Sequence, residues 1–278
     1  MSATSLRLGR LLLYLALTLP LMPLQAMLLL LRSPLQRRLP LFYHGWTTRL
    51  LGFDITVNGT PSTQRPTLFV ANHVSFLDIE ILGSLLDASF ISKADVAKWP
   101  LFGWLAKLQR TVFVDRRVSS THRQRDAIRE RLDEDDNLIL FPEGTTGDGN
   151  RALPFKSALF SVANYAGTHG PLAVQPVSIA YVRLDGMPLG RAYRPFVAWY
   201  GDMEFAPHLW TLLGLGVLGV EVAFHPPVTL AEFPSRKALA EHCYKVVAAG
   251  VASAVAGRPQ QWPGALPARS EPTSVAAQ

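Results

Sequence analysis

A histidine and an aspartate stand five residues apart, directly after an apolar segment that is typical of a buried strand. The segment Thr67–Ala71 leads into Asn72 and His73, and Asp78 follows after four further residues. On a single helix an offset of five residues, about 500° of rotation, points two side chains apart. We therefore expect His73 in a loop and Asp78 in the first turn of a helix that Ser75 caps, where the carboxylate can reach back to the ring.

The chemistry that this spacing allows is general-base catalysis by His73. A carboxylate bonded to one imidazole nitrogen fixes the tautomer and leaves the other nitrogen ready to accept a proton. On the pair alone, another interpretation is equally good, namely a histidine satisfied by local hydrogen bonds and an aspartate on a solvated helix face.

A second polar segment follows another predicted strand, Leu138–Phe141. It is the glycine-rich loop 142–149, with the sequence PEGTTGDG, and we expect it at the same edge of the sheet as His73. Arg116, after a further predicted strand, and Lys156 downstream add positive charge. A histidine–aspartate pair with cations and a glycine-rich loop suits acyl transfer and an anionic substrate.

Four blocks of the sequence resemble the motifs of the glycerolipid acyltransferases, the family of bacterial lysophosphatidic acid acyltransferase and its lyso-ornithine lipid acyltransferase relatives. They occur in family order and are Asn72–Asp78, which matches NHxxxxD, then Val112–Arg116, Phe141–Thr145 and Val174–Val177. The resemblance implies acyl-CoA or acyl-carrier protein as the donor and a lysolipid as the acceptor, with no cofactor or metal. It also implies a site at the cytoplasmic face of the cell inner membrane, in contact with membrane lipids.

The same resemblance implies a role for each matching residue. His73 is expected to be the base and Asp78 the residue that orients it. The expected substrate-binding residues are Arg116, Glu143, Gly144, Thr145, Thr146 and Lys156. Arg116 and Lys156 would contact a phosphate of the acceptor. Glu143 and Gly144 would shape the acceptor pocket.

Thr146 departs from the family pattern, because arginine usually occupies this position. A neutral threonine cannot make the bidentate phosphate contact that arginine makes. Since Arg116 and Lys156 remain, we expect lysophosphatidic acid (1-acylglycerol-3-phosphate) as the acceptor and phosphatidic acid as the product. The alternative acceptor is lyso-ornithine lipid, whose head group is a zwitterionic amino acid without phosphate.

Direct transfer without a covalent acyl-enzyme is the expected mechanism. Cys243, the only cysteine of the chain, is expected to pack in the core, and Ser75 to cap a helix rather than act as a nucleophile. A hydrolase would need an activated nucleophile, and no GxSxG motif is present. A non-catalytic lipid-binding scaffold is the remaining alternative, but a scaffold has no need of a base with an orienting carboxylate.

The elements that position these residues alternate between strands and helices, which predicts one α/β acyltransferase domain with a mixed sheet flanked by helices. The predicted strands are Phe53–Val57, Thr67–Ala71, Ser89–Ser92, Thr111–Asp115, Leu138–Phe141, Ala173–Ala180, Phe196–Tyr200 and Val220–Phe224. The predicted helices are Phe76–Leu86, Ala94–Lys107, Thr121–Leu132, Ala158–Ala166 and Arg236–Ala252, the last of them capped by Ser235.

Before this domain, residues 1–50 are expected to anchor the chain in a membrane as a hydrophobic helix or hairpin. The almost wholly apolar segment Leu11–Leu31 would span about 30 Å as a helix, which is the thickness of a bilayer core. Pro20 and Pro23 favour a kinked span, or a short hairpin in one leaflet, over a straight helix. A cleaved signal peptide is the competing interpretation, but it would place the bulky Leu24 where its cleavage site needs a small residue.

The distribution of charge supports this organisation. Residues 1–53 contain six of the 27 Lys and Arg residues and no Asp or Glu, so the net charge of +6 belongs entirely to the N-terminal part. This placement predicts an anionic membrane surface as the partner, rather than nucleic acid. The acyltransferase domain is expected over residues 51–256. Residues 257–278, with proline, alanine, serine and few large apolar residues, are expected to be a disordered tail.

Overall fold

The computed structural model describes residues 3–114, 121–167 and 170–259. The helices are α1 (Ala3–Leu30), α2 (Leu35–Leu51), α3 (Leu77–Leu85), α4 (Phe102–Leu108), α5 (Thr121–Asp133), α6 (Phe205–Leu212) and α7 (Arg236–Val255). The strands are β1 (Phe53–Asn58), β2 (Thr67–Ala71), β3 (Ala88–Lys93), β4 (Val112–Val114), β5 (Asn137–Leu140), β6 (Ala166–Gly167), β7 (Gly170–Pro171), β8 (Ala173–Leu184), β9 (Met187–Pro188), β10 (Leu218–Phe224) and β11 (Val228–Thr229). Short 3₁₀ segments cover Ala94–Lys98, Ser157–Asn164, Arg194–Phe196 and Leu230–Glu232.

One mixed sheet organises the domain, as the alternating pattern predicts. Its main path runs β1-β10-β8-β2-β5-β3-β4, with β9 and β11 paired to β8. β2 is parallel to both of its neighbours, β5 and β8, whereas β8 and β10 are antiparallel. Because β2 and β5 are parallel neighbours, the loops that follow them emerge at the same edge of the sheet. Loop 72–76, which contains His73 and is named the histidine loop, therefore lies beside loop 142–149.

Apolar side chains cover both faces of this sheet. Alternate residues of a strand point to opposite faces, so Phe69 and Ile139 pack with α3 on one face, and Leu68 and Leu138 pack with α7 on the other. Cys243 of α7 is fully buried within the second face. Its predicted place in the core is confirmed.

The N-terminal part consists of α1 and α2, joined by a short turn. α1 continues as one helix through Pro20 and Pro23. It is long and apolar enough to cross a membrane, and few of its residues are buried within the protein. The chain therefore carries an exposed apolar helix of membrane-spanning length next to its α/β domain.

Polar contacts tie α1 to the rest of the protein at both of its ends. Near its start, the Arg10 guanidinium donates to the carbonyl oxygens of Leu213 and Leu215 at 3.3 and 2.5 Å. Near its end, the Gln25 amide donates to the carbonyl oxygen of Leu108 at 3.0 Å. These contacts hold α1 lengthwise against the domain.

Three predicted elements take a different form. The predicted helix Ala158–Ala166 is instead the 3₁₀ segment Ser157–Asn164, and Ala166 belongs to β6. The predicted strand Phe196–Tyr200 is irregular after its first residue, because the Trp199 N–H donates at 2.9 Å to the carbonyl oxygen of Val74 in the histidine loop and not to a neighbouring strand. The predicted helix Ala94–Lys107 is divided into a 3₁₀ segment and α4. Pro100 lies at the division, where it cannot continue a helical hydrogen-bond ladder.

Candidate active site

His73 and Asp78 come together as their spacing predicts. His73 lies in the loop between β2 and α3, and its Nδ1 is 2.8 Å from Oδ2 of Asp78. Asp78 is completely buried, whereas 20% of the His73 side chain is exposed. Because Nδ1 faces a carboxylate, Nδ1 carries the ring proton and Nε2 keeps its lone pair. This arrangement would allow Nε2 to accept a proton as a general base does.

The start of α3 differs from the expected cap. Ser75 does not cap the helix, because its buried hydroxyl has no hydrogen-bond partner, and Phe76 is the N-cap residue. Instead, Oδ2 of Asp78 accepts the backbone N–H groups of Val74 and Ser75 at 2.7 and 3.0 Å. The Asp78 side chain folds back because the N–H groups at the start of a helix have no partner within it. One carboxylate therefore both stabilises the helix start and holds the histidine.

An aromatic stack fixes the plane of the His73 ring. Its centroid is 4.0 Å from that of Phe141, with 14° between the two ring planes. Phe141, which precedes loop 142–149, is stacked in turn on Phe90 of β3 at 6.2 Å. With one face covered and Nδ1 bonded, the imidazole is held in one orientation.

Loop 142–149 is fastened to the histidine loop. The Gly147 N–H donates to the carbonyl oxygen of His73 at 2.8 Å, and the Lys156 N–H donates to that of Pro142 at 2.8 Å. Gly144 has a φ of +67°, and a Cβ at this position would lie 2.8 Å from Nζ of Lys156. The left-handed backbone favours glycine here, whereas the contact with the end of the lysine side chain could be relieved by a shift of that flexible side chain. The Lys156 ammonium thus lies against the loop.

Glu143 is buried on the same loop, with 2% of its surface exposed, and its Oε1 accepts the Leu153 N–H at 2.9 Å. Burial raises the pKa of Glu143 to about 8, although the backbone N–H groups of Leu153 and His73 offset part of this effect. The charge of Asp78 adds a smaller increase to the pKa. At neutral pH this carboxyl is therefore mainly protonated, and it contributes a neutral hydrogen-bonding group.

The remaining predicted residues divide into two groups. Thr145 is exposed and Thr146 is half-buried on loop 142–149, so both lie at the same sheet edge as the histidine. Arg116 lies outside the described residues, the nearest described strand being β4, which ends at Val114.

An apolar cavity that the sequence did not predict lies beside the site. Its volume is about 160 Å³, and it is enclosed by residues of α1, α2, α3, α4 and β3. Phe90 and Phe76 line it on the side of the histidine loop, and Leu21 and Met22 bring α1 into its wall. Its mainly apolar lining suits an aliphatic chain.

One wall of this cavity contains a buried ion pair. Nδ1 of His44 is 2.7 Å from Oε2 of Glu80, and Nε2 is 2.9 Å from Oε1 of Gln109. Burial opposes a charge on either member of the pair. Their mutual attraction and hydrogen bonds outweigh this effect, so the pKa of His44 is raised and the pKa of Glu80 is lowered. The pair joins α2 to α3, the helix that carries Asp78.

Tyr181 is a further residue of the site that the sequence patterns do not single out. It belongs to β8, and its hydroxyl donates to Oδ1 of Asp78 at 2.6 Å. Nothing local in the sequence connects two residues that are 103 positions apart. Within residues 3–114, 121–167 and 170–259, no three His, Cys, Asp or Glu side chains converge as metal ligands.

Comparisons with known proteins agree with this chemistry. The model of the family described as Acyltransferase matches residues 54–180. The chain is 47% identical over 247 residues to the lyso-ornithine lipid O-acyltransferase of Brucella abortus. This match covers 87% of this chain and 92% of that protein. The chain is 33% identical over 210 residues to the 1-acyl-sn-glycerol-3-phosphate acyltransferase of Neisseria gonorrhoeae, covering 73% of this chain and 77% of that protein.

A solved structure shares the fold. The crystal structure of the 1-acyl-sn-glycerophosphate acyltransferase PlsC from Thermotoga maritima superimposes with a TM-score of 0.58 and 23% sequence identity, covering 88% of this chain and 97% of that one. The extent of identity to the Brucella abortus protein, together with the family match, decides the family. The chain belongs to the acyltransferase family, whose chemistry here is the transfer of an acyl group to a hydroxyl.

Proposed function

We propose that this acyltransferase acylates the free hydroxyl of lyso-ornithine lipid. The observation that carries the proposal is the 47% identity, over 87% of the chain, to the Brucella abortus enzyme of that name. The Rhizobium meliloti lyso-ornithine lipid O-acyltransferase is also 43% identical over 79% of the chain. The Neisseria gonorrhoeae enzyme, named for 1-acyl-sn-glycerol-3-phosphate, is less similar at 33%. The comparisons therefore favour the alternative acceptor over lysophosphatidic acid, which the sequence analysis preferred.

The side chains of loop 142–149 support a head group without phosphate. Thr146 cannot offer the two parallel N–H donors with which arginine binds phosphate. Lys156, held against Gly144, supplies a single ammonium, which suits the one carboxylate of ornithine. Asp148, whose two oxygens accept from the backbone and side chain of Asn150 at 3.0 and 3.1 Å, supplies a carboxylate for the ornithine ammonium.

The catalytic step follows from the tautomer of His73. Nε2 takes the proton of the acceptor hydroxyl while the hydroxyl oxygen attacks the carbonyl carbon of the acyl thioester. The resulting tetrahedral oxyanion collapses, the carbon–sulfur bond breaks, and the leaving thiolate recovers the proton from Nε2. Asp78 stabilises the imidazolium between these two proton transfers.

Acyl-CoA or acyl-carrier protein would supply the thioester, and the apolar cavity would receive an aliphatic chain. The cavity reaches Phe90, and Phe90 stacks on Phe141, which covers the His73 ring. A chain lying there would have its reactive end close to the base. Since Leu21 and Met22 of α1 line the same cavity, the membrane helix forms part of the lipid site.

The cellular location belongs to the same proposal. α1 is apolar and largely exposed, and the arginines in and after it are accompanied by no acidic residues, which suits attachment of this side of the protein to the anionic surface of the inner membrane. The catalytic domain would then lie on the cytoplasmic face, where acyl-CoA and acyl-carrier protein are available.

A direct comparison of acceptors tests the proposal. Full-length protein in mixed micelles would be assayed with one acyl-CoA and either lyso-ornithine lipid or lysophosphatidic acid. We expect kcat/KM for lyso-ornithine lipid to be at least about tenfold higher, which corresponds to roughly 1.4 kcal/mol of discrimination. A preference for lysophosphatidic acid would contradict the proposed acceptor while leaving the roles of His73 and Asp78 intact.

Thr146→Arg sharpens the comparison. An added guanidinium should improve kcat/KM for lysophosphatidic acid relative to lyso-ornithine lipid, because a charge-assisted bond is worth about 1.5–3 kcal/mol. Thr63→Arg is the matched control, since Thr63 is exposed before β2, at the opposite edge of the sheet, and gains the same charge. Equal effects of the two arginines would show that position 146 does not face the head group.

A further inference from the structure

The two oxygens of Asp78 have different surroundings. Oδ2 accepts three hydrogen bonds, from His73 and from the backbone of Val74 and Ser75. Oδ1 accepts from the Tyr181 hydroxyl at 2.6 Å. The carboxylate is fully buried, so no water can replace a missing donor without a rearrangement. The Tyr181 hydroxyl thus supplies the hydrogen bond to Oδ1 of Asp78, the residue proposed to orient His73.

Tyr181 is suited to this task because it is a permanent donor. Its side chain is 1% exposed, and burial, followed by the charge of Asp78, raises its pKa well above the usual value. The hydroxyl therefore remains protonated over the whole range in which an enzyme works. Tyr181 belongs to β8, which is paired on both sides within the sheet. Its hydroxyl is therefore held beside the carboxylate more firmly than that of a loop residue would be.

Asn72 fixes the position of that strand relative to the histidine loop. Its amide nitrogen donates to the carbonyl oxygen of Ile179 at 2.9 Å, and its amide oxygen accepts the Ile179 N–H at 2.9 Å. The last residue pair between β2 and β8 is Ala71 with Val177. Asn72 follows Ala71, and its side chain extends the pairing of the two strands by bonding to the backbone of β8. Tyr181 is two residues past Ile179 and shares its face of the strand.

We propose that Tyr181 is a positioning residue for acyl transfer, acting through Asp78 on His73. By holding Oδ1, the phenol keeps Oδ2 directed at Nδ1, so that Nε2 stays free as the proton acceptor. The inference rests on the proposed role of His73 as the base and is independent of which lysolipid is the acceptor.

The test is Tyr181→Phe, which removes the hydroxyl and keeps the ring. We expect kcat to fall about 10- to 30-fold with KM for both substrates within twofold of wild type, because the missing bond affects the base and not binding. The acid limb of the kcat/KM pH profile should move upward by about one pH unit. Its direction follows from charge: with one donor fewer, the His73–Asp78 pair takes up a proton more readily.

Tyr165→Phe is the matched control, because Tyr165 also donates its hydroxyl to an aspartate, Asp133, at 2.5 Å, but at the protein surface. Its kcat and pH profile should equal those of the wild type. All variants would be assayed below the lowest thermal unfolding midpoint in the set. If Tyr181→Phe loses activity only in proportion to folded protein, with an unmoved acid limb, the residue is merely structural and the proposal is wrong.

A double-mutant cycle with Asp78→Asn gives a second, independent answer. If Tyr181 acts through Asp78, adding Tyr181→Phe to Asp78→Asn should cost less than threefold, whereas independent roles would multiply the two losses. Full activity of His73→Ala would instead refute the base itself, and with it both this inference and the proposed mechanism. A preference for lysophosphatidic acid would refute only the proposed acceptor.

Discussion

Replacing Asp78 by asparagine separates the charge of this side chain from its shape. The amide oxygen has one suitable position, that of Oδ2, because three donors meet there: His73 Nδ1 and the N–H groups of Val74 and Ser75. The amide nitrogen then takes the place of Oδ1, where the Tyr181 hydroxyl can turn and accept. We therefore expect Asp78→Asn to fold, to keep the helix start and to hold His73 in its present tautomer.

The catalytic loss should come from the missing negative charge. A hydrogen bond to a charged group contributes about 1.5–3 kcal/mol, and a neutral one about 0.5–1.5 kcal/mol. The carboxylate is fully buried, which places it at the strong end of that range. Replacing the charged bond by a neutral one then loses about 1.5–2.5 kcal/mol of imidazolium stabilisation, which corresponds to roughly a 10- to 70-fold decrease in kcat.

Asp78→Asn should also shift the pH profile of kcat/KM in a definite direction. Without the neighbouring anion, protonated His73 is less stable, so the acid limb of kcat/KM should move to lower pH, opposite to the shift expected for Tyr181→Phe. Steady-state kinetics in mixed micelles at several pH values, with circular dichroism for the fold, would measure both effects. An Asp78→Asn enzyme within threefold of the wild-type kcat, or one whose acid limb moves upward, would refute the assignment of Asp78 as the partner of the base.

Three further outcomes are expected. His73→Ala should lower kcat by about 10²–10⁴-fold in a protein that unfolds at the wild-type temperature, because general-base assistance is worth that much; near wild-type turnover would rule out the mechanism. Glu143 has a folded-state pKa of about 8 against an ordinary value of 4.5, so the folded protein holds a proton that the unfolded chain releases, and stability should fall as the pH rises between these values. Glu143→Gln should remove that part of the pH dependence, as measured by thermal unfolding from pH 5 to 8, and an unchanged slope would show that the carboxyl is ionised. Full-length protein should remain in the membrane pellet after a carbonate wash with its N-terminus uncleaved, and a soluble form starting near Met27 would contradict the anchor.

The location of the site follows from the order of the strands, which local pattern only partly anticipates. Two apolar segments, each ending in polar residues, predict two buried strands with functional loops. Because β2 and β5 are adjacent and parallel, those loops meet, and the bond from Gly147 to the carbonyl of His73 joins them. The adjacency itself could not be predicted from either segment, since strand pairing depends on the packing of the whole sheet.

In the N-terminal part, too, some features can be predicted from the sequence and others depend on packing between distant segments. The apolar length of α1 and the arginines around it are visible in the sequence, and they predict membrane attachment. The cavity and the ion pair of His44 with Glu80 exist only where α1 and α2 pack against α3 and α4. In the sequence, His44 is a histidine among apolar and basic residues, and no spacing connects it to Glu80.

The sequence by itself determined the alternating fold, the His73–Asp78 pair, the glycine-rich loop and the long apolar N-terminal helix, because each depends on residues that are close together along the chain. The tertiary structure alone decided that Asp78 rather than Ser75 satisfies the start of α3, that burial raises the pKa of Glu143 and that the Tyr181 hydroxyl bonds to Asp78. Burial and the directions of backbone donors control these properties. Both arise from contacts between distant segments, here from the placement of β8 beside β2, and no local periodicity encodes them.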